Sequence, residues 1–304
     1  MSAKVIDCVA IANEIKSELQ EEIQGLGKKG ITVGLATVLV GDDFGAHMYR
    51  NQIEKFCVEM GVQYTNANPK EDTSEEEVVK IVKQLNDNES VSGMIPLRPF
   101  PEHISDYAII NAIALNKDID CFHPYNMGKL TLGEITFAPA TPSACIEILD
   151  REKTNFEGAE ICVVGHSNIV GKPISILCLN RNATITTSHV FTSMAGNLAK
   201  HTTVADILIV AAGKAGLITA DLVKEGAFVI DVGINRVKVL DENGNPVLNE
   251  KGKPKSKTVG DVDFEGVKQK AGRITPVPGG VGAITNMMLM GNAIKAAKVH
   301  HNLA

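Results

Sequence analysis

Two α/β domains are the fold class this chain predicts, and three observations predict it. Strand-like apolar runs alternate with helix-like periodic segments from end to end, the pattern of βαβ units on a parallel sheet. The alternation breaks at Pro139-Ala-Thr-Pro142, where a new helix opens, so a domain boundary falls near residue 141. Beyond it, Gly165-His-Ser-Asn-Ile-Val-Gly-Lys-Pro173 follows the apolar run Ile161–Val164. A buried strand that turns through glycines into a helix is a place to hold a phosphate. Glycines let the backbone approach a ligand, and a helix start offers unpaired N–H groups and a positive dipole end. Pro173 suits a first helical position, where its missing N–H costs nothing.

Each element has its own signal. Residues 9–23 carry Val9, Ile11, Ala12, Ile15, Leu19 and Ile23 at helical spacing between charges, and the glycines of 25–30 end that helix. Residues 31–40 are a nearly unbroken apolar run, as in a strand buried on both faces. Helices over 45–60 and 74–86 then alternate with strands over 62–66 and 92–97. After the boundary come strands at 160–165, 184–187, 206–211 and 227–231, with a helix at 171–181. Residues 237–259 read as a polar hairpin, Glu242-Asn-Gly-Asn-Pro246 supplying the turn chemistry. Pro276-Val-Pro-Gly-Gly-Val-Gly282 is a second glycine-rich loop, and residues 283–299 form a closing helix. The whole reads as two domains with a cleft between them, the second holding a dinucleotide.

Composition bounds the function. At 304 residues the chain has room for two cores, since single cores stop growing near ~250–300 residues. A net charge of −6, with the lysines of 251–257 diluted by Gly, Pro and Ser, argues against nucleic acid or a membrane surface as partner. The six cysteines show no C-x-x-C spacing and read as buried free thiols of a reducing compartment. No apolar run approaches the ~18–20 residues of a membrane span, and the charged N-terminus is no signal peptide, so a cytoplasmic location is expected. The eight histidines form no spaced ligand set, so no metal is expected, and His300-His301 reads as a frayed tail.

Six motifs in register resemble the bifunctional methylenetetrahydrofolate dehydrogenase/methenyltetrahydrofolate cyclohydrolase family. They are Gly165–Pro173, Pro139–Pro142, Lys117-Asp-Ile-Asp120, Asp231-Val-Gly-Ile-Asn235, Gly260-Asp-Val-Asp-Phe264 and Pro276–Gly282. The resemblance implies a folate-binding catalytic domain over residues 1–141, completed by a C-terminal helix at 284–304, and a Rossmann-type NAD(P)-binding domain over 142–283. It also implies a homodimer, tetrahydrofolate as the one-carbon carrier, and hydride transfer from a methylene bridge to a nicotinamide.

On the folate side, Tyr49 occupies the family's aromatic position and Asp120 its carboxylate position. A flat ring suits stacking on a pterin, though Tyr49 could equally be packing. Asp120 can accept pterin N–H groups, or it can simply form a turn. The family's lysine, four residues after the tyrosine, is Ile53 here; its glutamine is Leu97, a nearby serine is Ala46, and the glycine after Asp120 is Cys121. Lys55 cannot substitute, because at about 100° per residue it lies on another face from Tyr49. The pocket has therefore lost its proton-handling groups. Hydrolysis needs an activated water and a positioned acid or base, whereas hydride transfer needs mainly proximity. A dehydrogenase with weak or absent cyclohydrolase activity is expected. Arg98, new relative to the family, either returns a positive charge to the site or faces solvent.

The resemblance assigns Gly165, His166, Ser167, Ile169, Gly171, Gly213 and Ile234 to the dinucleotide, and Pro278 and Gly279, with Tyr49, Leu97 and Asp120, to the folate. The family's 2′-phosphate-gripping Arg and Ser positions fall on His166 and near Val190 and Phe191. These cannot offer a permanently charged, bidentate grip, so NAD is expected over NADP. Two other readings stand beside the dehydrogenase: an enzyme for a different tetrahydrofolate-linked one-carbon step, such as methyl transfer, or a catalytically silent homologue that binds folate or a dinucleotide.

Overall fold

The computed structural model describes residues 2–241, 245–248 and 252–303. In chain order the first elements are β1 (Lys4–Val5), α1 (Cys8–Gly27), β2 (Gly34–Leu39), α2 (Phe44–Met60), β3 (Gln63–Ala67), α3 (Glu75–Asp87) and β4 (Gly93–Leu97). There follow α4 (Asp106–Ala112), α5 (Pro124–Thr131), α6 (Ala140–Arg151), β5 (Glu160–Val164), α7 (Gly171–Leu179), β6 (Thr184–Ser188), α8 (Val190–Met194) and α9 (Leu198–Thr202). The chain closes with β7 (Ile207–Val210), β8 (Phe228–Asp231), β9 (Asn235–Lys238), β10 (Ser256–Val259), α10 (Phe264–Lys268), β11 (Arg273–Ile274) and α11 (Val281–His300). Two compact units result, one of Met1–Ile11 and Thr141–Ile284, the other of Ala12–Ala140 and Thr285–Ala304.

The second of these units is built on a three-stranded parallel sheet in the order β3-β2-β4. Every residue of β2 and β4 is buried, which is why both read as nearly unbroken apolar runs. Ala36, Val38 and Met94 pack with Val78, Val82 and Leu85 of α3 and Ile109 of α4. Helix α2 starts where the Asp43 side chain accepts the Ala46 N–H at 2.8 Å and stops at Gly61, whose φ of 72° suits glycine. Ser74 and three first-turn glutamates open α3 in the same way, opposite charge meeting the helix dipole. Asn292 of α11 donates to the carbonyls of Ile119 and Ala138, so the C-terminal helix is tied into this unit by hydrogen bonds.

The other unit holds a six-stranded sheet, β1-β11-β8-β7-β5-β6, in which every pair is parallel. The chain leaves β5 for β6 on one side and returns to β7 on the other. This switch opens a crevice at the carboxyl ends of β5 and β7. Cys162, Val164, Leu208, Val210, Val229 and Ile274 form the core beneath it.

Several expectations change. The N-terminal strand joins the six-stranded sheet rather than the unit that holds residues 12–140, because β1 pairs in parallel with β11 and Ile6 N–H donates to Ile274 at 2.9 Å. Two-residue strands give no periodic signal. Helix α1 runs through Gly25 to Gly27, its last turn held by buried Leu26. Pro173 is the third residue of α7, still inside the turn whose N–H groups lack helical partners. The hairpin pairs 235–238 with 256–259, and its expected turn residues Glu242, Asn243 and Gly244, like Lys251, lie outside the described residues. His300 is part of α11 and half-buried rather than frayed; desolvation and nearby Lys117 hold its imidazole below the usual range. All six cysteines are free and buried. Among the described residues no helix is long and apolar enough to cross a membrane, and no three potential ligands converge as a metal requires.

Candidate active site

Helix α2 sets out the residues expected on the folate side. Ala46, Ile53, Cys57 and Met60 make its buried stripe, and Tyr49, 36% exposed, stands at the margin of that stripe one turn before Ile53. Ile53 and Leu97, the latter ending β4, are only 2% and 3% exposed. Both positions are apolar and shielded.

Asp120 is placed by the segment that follows α4. Met94 N–H donates to the Lys117 carbonyl, and Gly93 is required because a Cβ there would stand 2.2 Å from Ile119 Cγ2. Asp120 Oδ1 then accepts the N–H of Ala140, the first residue of α6, at 2.7 Å. Desolvation pushes the Asp120 carboxyl up to about 7, with Ala140 and Arg98 pulling it down and Asp118 adding to the rise. Desolvation and the Asp120 charge push the Tyr49 phenol up to about 12. Tyr49 is thus a neutral hydrogen-bonding ring near a carboxylate that titrates close to neutrality. One Asp120 oxygen therefore caps the start of α6.

Arg98 is neither free nor idle. Its Nε donates to Asp106 at 2.6 Å and its guanidinium lies 4.6 Å from the centre of the Phe122 ring, while its charge still reaches Asp120. Cys121 sits at φ 56°, a left-handed conformation that a glycine would adopt with less strain. Buried Lys117 donates to the Leu85 and Asn88 carbonyls, which makes it a structural residue.

In the six-stranded unit, Gly165, His166 and Ser167 line a cavity of about 580 Å³ at the ends of β5, β6 and β7. Gly165 has φ 129°, and a Cβ there would meet the Ala211 carbonyl at 2.2 Å. A Cβ on Gly171 would likewise strike the Gly165 carbonyl at 2.2 Å. Only glycines let the turn fold back on itself. Ser167 Oγ accepts the Val170 N–H at 3.2 Å and so fixes the entry to α7. Lys172, His189 and Lys214 complete the polar wall beside Val190, and the His166 and His189 rings stack at 4.7 Å. Lys172, Lys214 and His189 escaped the sequence reading. Their signal was a basic side chain directly beside a glycine or at a strand end.

The remaining predicted residues divide. Gly171 underlies the turn, and Gly213 lies between lining residues Ala212 and Lys214, whereas Ile169 is 44% exposed and does not line the cavity. Ile234 instead lines a second cavity, of about 250 Å³, together with Pro278 and Gly279. Pro278 and Gly279, expected with the folate residues, therefore lie in the six-stranded unit beside a residue expected for the dinucleotide.

Two buried carboxylates hold these loops. Asp231 accepts the N–H groups of Gly233, Asp261 and Val262 at 2.9–3.0 Å. Asp261 accepts those of Ala212 and Gly213 at 2.6 and 2.8 Å and the Asn235 amide at 2.8 Å. Burial pushes Asp231 up to about 6 despite those three donors. The motifs at 231–235 and 260–264 are thus loop staples.

Comparison with known proteins agrees with this arrangement. Residues 6–120 match the family model of the tetrahydrofolate dehydrogenase/cyclohydrolase catalytic domain, and residues 139–301 match that family's NAD(P)-binding domain. The chain is 44% identical over 298 residues to the bifunctional protein FolD of Bacillus pumilus, covering 98% of this chain and 99% of that protein. The crystal structure of the bifunctional enzyme FolD from Campylobacter jejuni superposes with a TM-score of 0.89 at 39% identity, covering 98% of this chain and all of that one. FolD of Trypanosoma brucei, solved with NADP cofactor and inhibitor, superposes with a TM-score of 0.88 at 32% identity, covering 99% of each chain. This chain belongs to the tetrahydrofolate dehydrogenase/cyclohydrolase family.

Proposed function

We propose that this protein is a methylenetetrahydrofolate dehydrogenase that passes hydride to NAD in preference to NADP and has little or no cyclohydrolase activity. The observation that carries the second half is the pairing of retained and lost groups on α2 and β4. Tyr49 and Asp120 are retained, and the Asp120 charge reaches the Tyr49 phenol, while Ile53, Leu97 and Ala46 are buried hydrocarbon.

The cavity at residues 165–172 fits a dinucleotide. Its turn admits no Cβ at Gly165 or Gly171, and two lysines on its wall suit phosphate. The dinucleotide, when bound, supplies the hydride acceptor. Gly165, His166 and Ser167 would hold it, with Lys172 and Lys214 toward its phosphates. The Tyr49 ring would stack on the pterin, and Asp120 would accept its N–H groups. No side chain at 46, 53 or 97 can polarise a water or shuttle a proton, so a methenyl product would leave without being hydrolysed. Exposed Phe191 and Met194 on α8, next to the free edge of β6, provide apolar surface for the homodimer that the family likeness suggests.

One absorbance assay tests the reading. Purified protein with methylenetetrahydrofolate should reduce NAD faster than NADP and should accumulate the methenyl product. No reduction of either cofactor would overturn it. In the same assay, Ile53→Lys with Leu97→Gln should raise hydrolysis about 100-fold, the low end of what positioned acid–base groups contribute.

A further inference from the structure

The charge of the β9–β10 ribbon runs against that of the chain. Residues 235–240 and 251–259 carry Arg236, Lys238 and four further lysines without one acidic side chain, in a protein of net charge −6. The two strands are antiparallel, with Arg236 opposite Thr258 and Lys238 opposite Ser256. Residues opposite one another share a face of a ribbon. Arg236, Lys238 and Thr258 therefore stand on one side, and Val237 and Lys257 on the other. Thr258 also lines the cavity of about 250 Å³, together with Ile234, Pro278 and Gly279. The basic face thus begins at the cavity wall and leads away from it.

We infer, resting on the folate reading of Pro278 and Gly279, that this face of the ribbon holds the anionic tail of the folate. The chain then prefers folates bearing several γ-linked glutamates to those bearing one. A folate is graded in polarity: a flat aryl group joins the pterin to a glutamate, and each further γ-linked glutamate adds a carboxylate. The protein is graded in the same order. Ile234 and Pro278 give the cavity an apolar wall. Arg236 follows, opposite Thr258, and Lys238 lies about 7 Å farther along the strand.

Both cations are available to a ligand. Arg236 and Lys238 are exposed, and among the described residues neither enters an ion pair. Arg236 Nε donates to Ser256 Oγ at 2.6 Å, which settles the guanidinium on the Thr258 face. Its terminal N–H groups are left as the fork that grips a carboxylate. Asp231 is the one carboxylate on the cavity wall among the described residues. It is buried and already accepts the N–H groups of Gly233, Asp261 and Val262, so it does not answer the ribbon's charge. Exposed ion pairs are weak singly, so a tail with one glutamate gains little and a longer one, meeting both cations, gains more.

The test is calorimetric binding of tetrahydrofolate, with a single glutamate or with a pentaglutamate tail, to the intact protein at about 0.05 M and about 0.3 M salt. The longer tail should bind about tenfold tighter at low salt and less than about threefold tighter at high salt, where exposed charges are screened. Arg236→Gln with Lys238→Gln should abolish the preference while the affinity for the single-glutamate form stays within about twofold. Lys257→Gln, on the opposite face, should keep the preference. If the double variant does not fold, the salt dependence of the wild type decides. Equal affinity for the two folates at low salt, a preference indifferent to salt, or one that survives the double variant would overturn the inference and leave the folate reading intact. If neither folate binds, that reading falls and this inference with it.

Discussion

Replacing Asp120 with alanine is expected to lower kcat/KM for the folate about 100-fold or more while leaving dinucleotide affinity within about twofold. Hydrogen bonds to a charged acceptor contribute about 1.5–3 kcal/mol each, and the pterin would lose the one oxygen that no helix claims. The carboxyl titrates near neutrality, which adds a pH signature. Because burial raises it to about 7, the folded chain holds that proton more tightly than the unfolded chain does. Its ionised form, the proposed acceptor for pterin N–H groups, declines below pH 7, so folate KM should rise as pH drops toward 6. The stability effect runs the other way. The charged form is penalised in the folded state, so the contribution of Asp120 to stability falls as pH climbs from about 4 through about 7. Asp120→Asn should therefore melt higher than wild type at pH 8 and lose that advantage near pH 4, while its folate KM no longer varies with pH over 6–8. A folate KM unchanged in Asp120→Ala would remove Asp120 from the binding site.

Exchange of Gly260 for alanine is expected to destabilise the six-stranded unit by about 3–5 kcal/mol, the range of mutations that break a buried hydrogen-bonded network. A Cβ there would stand 1.7 Å from Asp231 Oδ2 and 2.5 Å from its Cγ. Asp231 is buried and cannot step aside without releasing Gly233, Asp261 and Val262. Displacing Asp261 in turn frees the Ala212 and Gly213 N–H groups, and Ala212 lines the larger cavity. Dinucleotide binding should weaken together with stability. Urea denaturation of the variant and wild type decides this: a loss under about 1 kcal/mol would mean that the staple tolerates a methyl group, contrary to the geometry. Asp231 supplies a check of sign. Its carboxyl is raised to about 6, so its contribution to stability should decrease as pH rises from about 4 to about 6.

Much of this is legible in the sequence. The strands of 92–97 and 160–165 lay within a residue of β4 and β5 because parallel strands buried on both faces leave runs without polar interruption. The glycine turn at 165–171 was legible because only glycine satisfies its steric demand. Helices α4 and α5, seven and eight residues long, are too short to display a period, and β1 and β11 have two residues each. The division of Ile234, Pro278 and Gly279 from the 165–172 turn was also hidden. They lie far along the chain from one another, and spacing says nothing about which loops share a cavity.

The sequence by itself determined the parallel α/β architecture, the family, and the loss of polar groups at positions 46, 53 and 97. Each of these is a property of residue type and order. Only the tertiary structure decided that Asp231 and Asp261 are staples, that Arg98 is bound to Asp106 and Phe122, and that His166 meets His189 across two strands. Those roles depend on burial and on distances between residues remote in the chain. A carboxylate or an imidazole acquires its charge state and its partners from what folding places beside it.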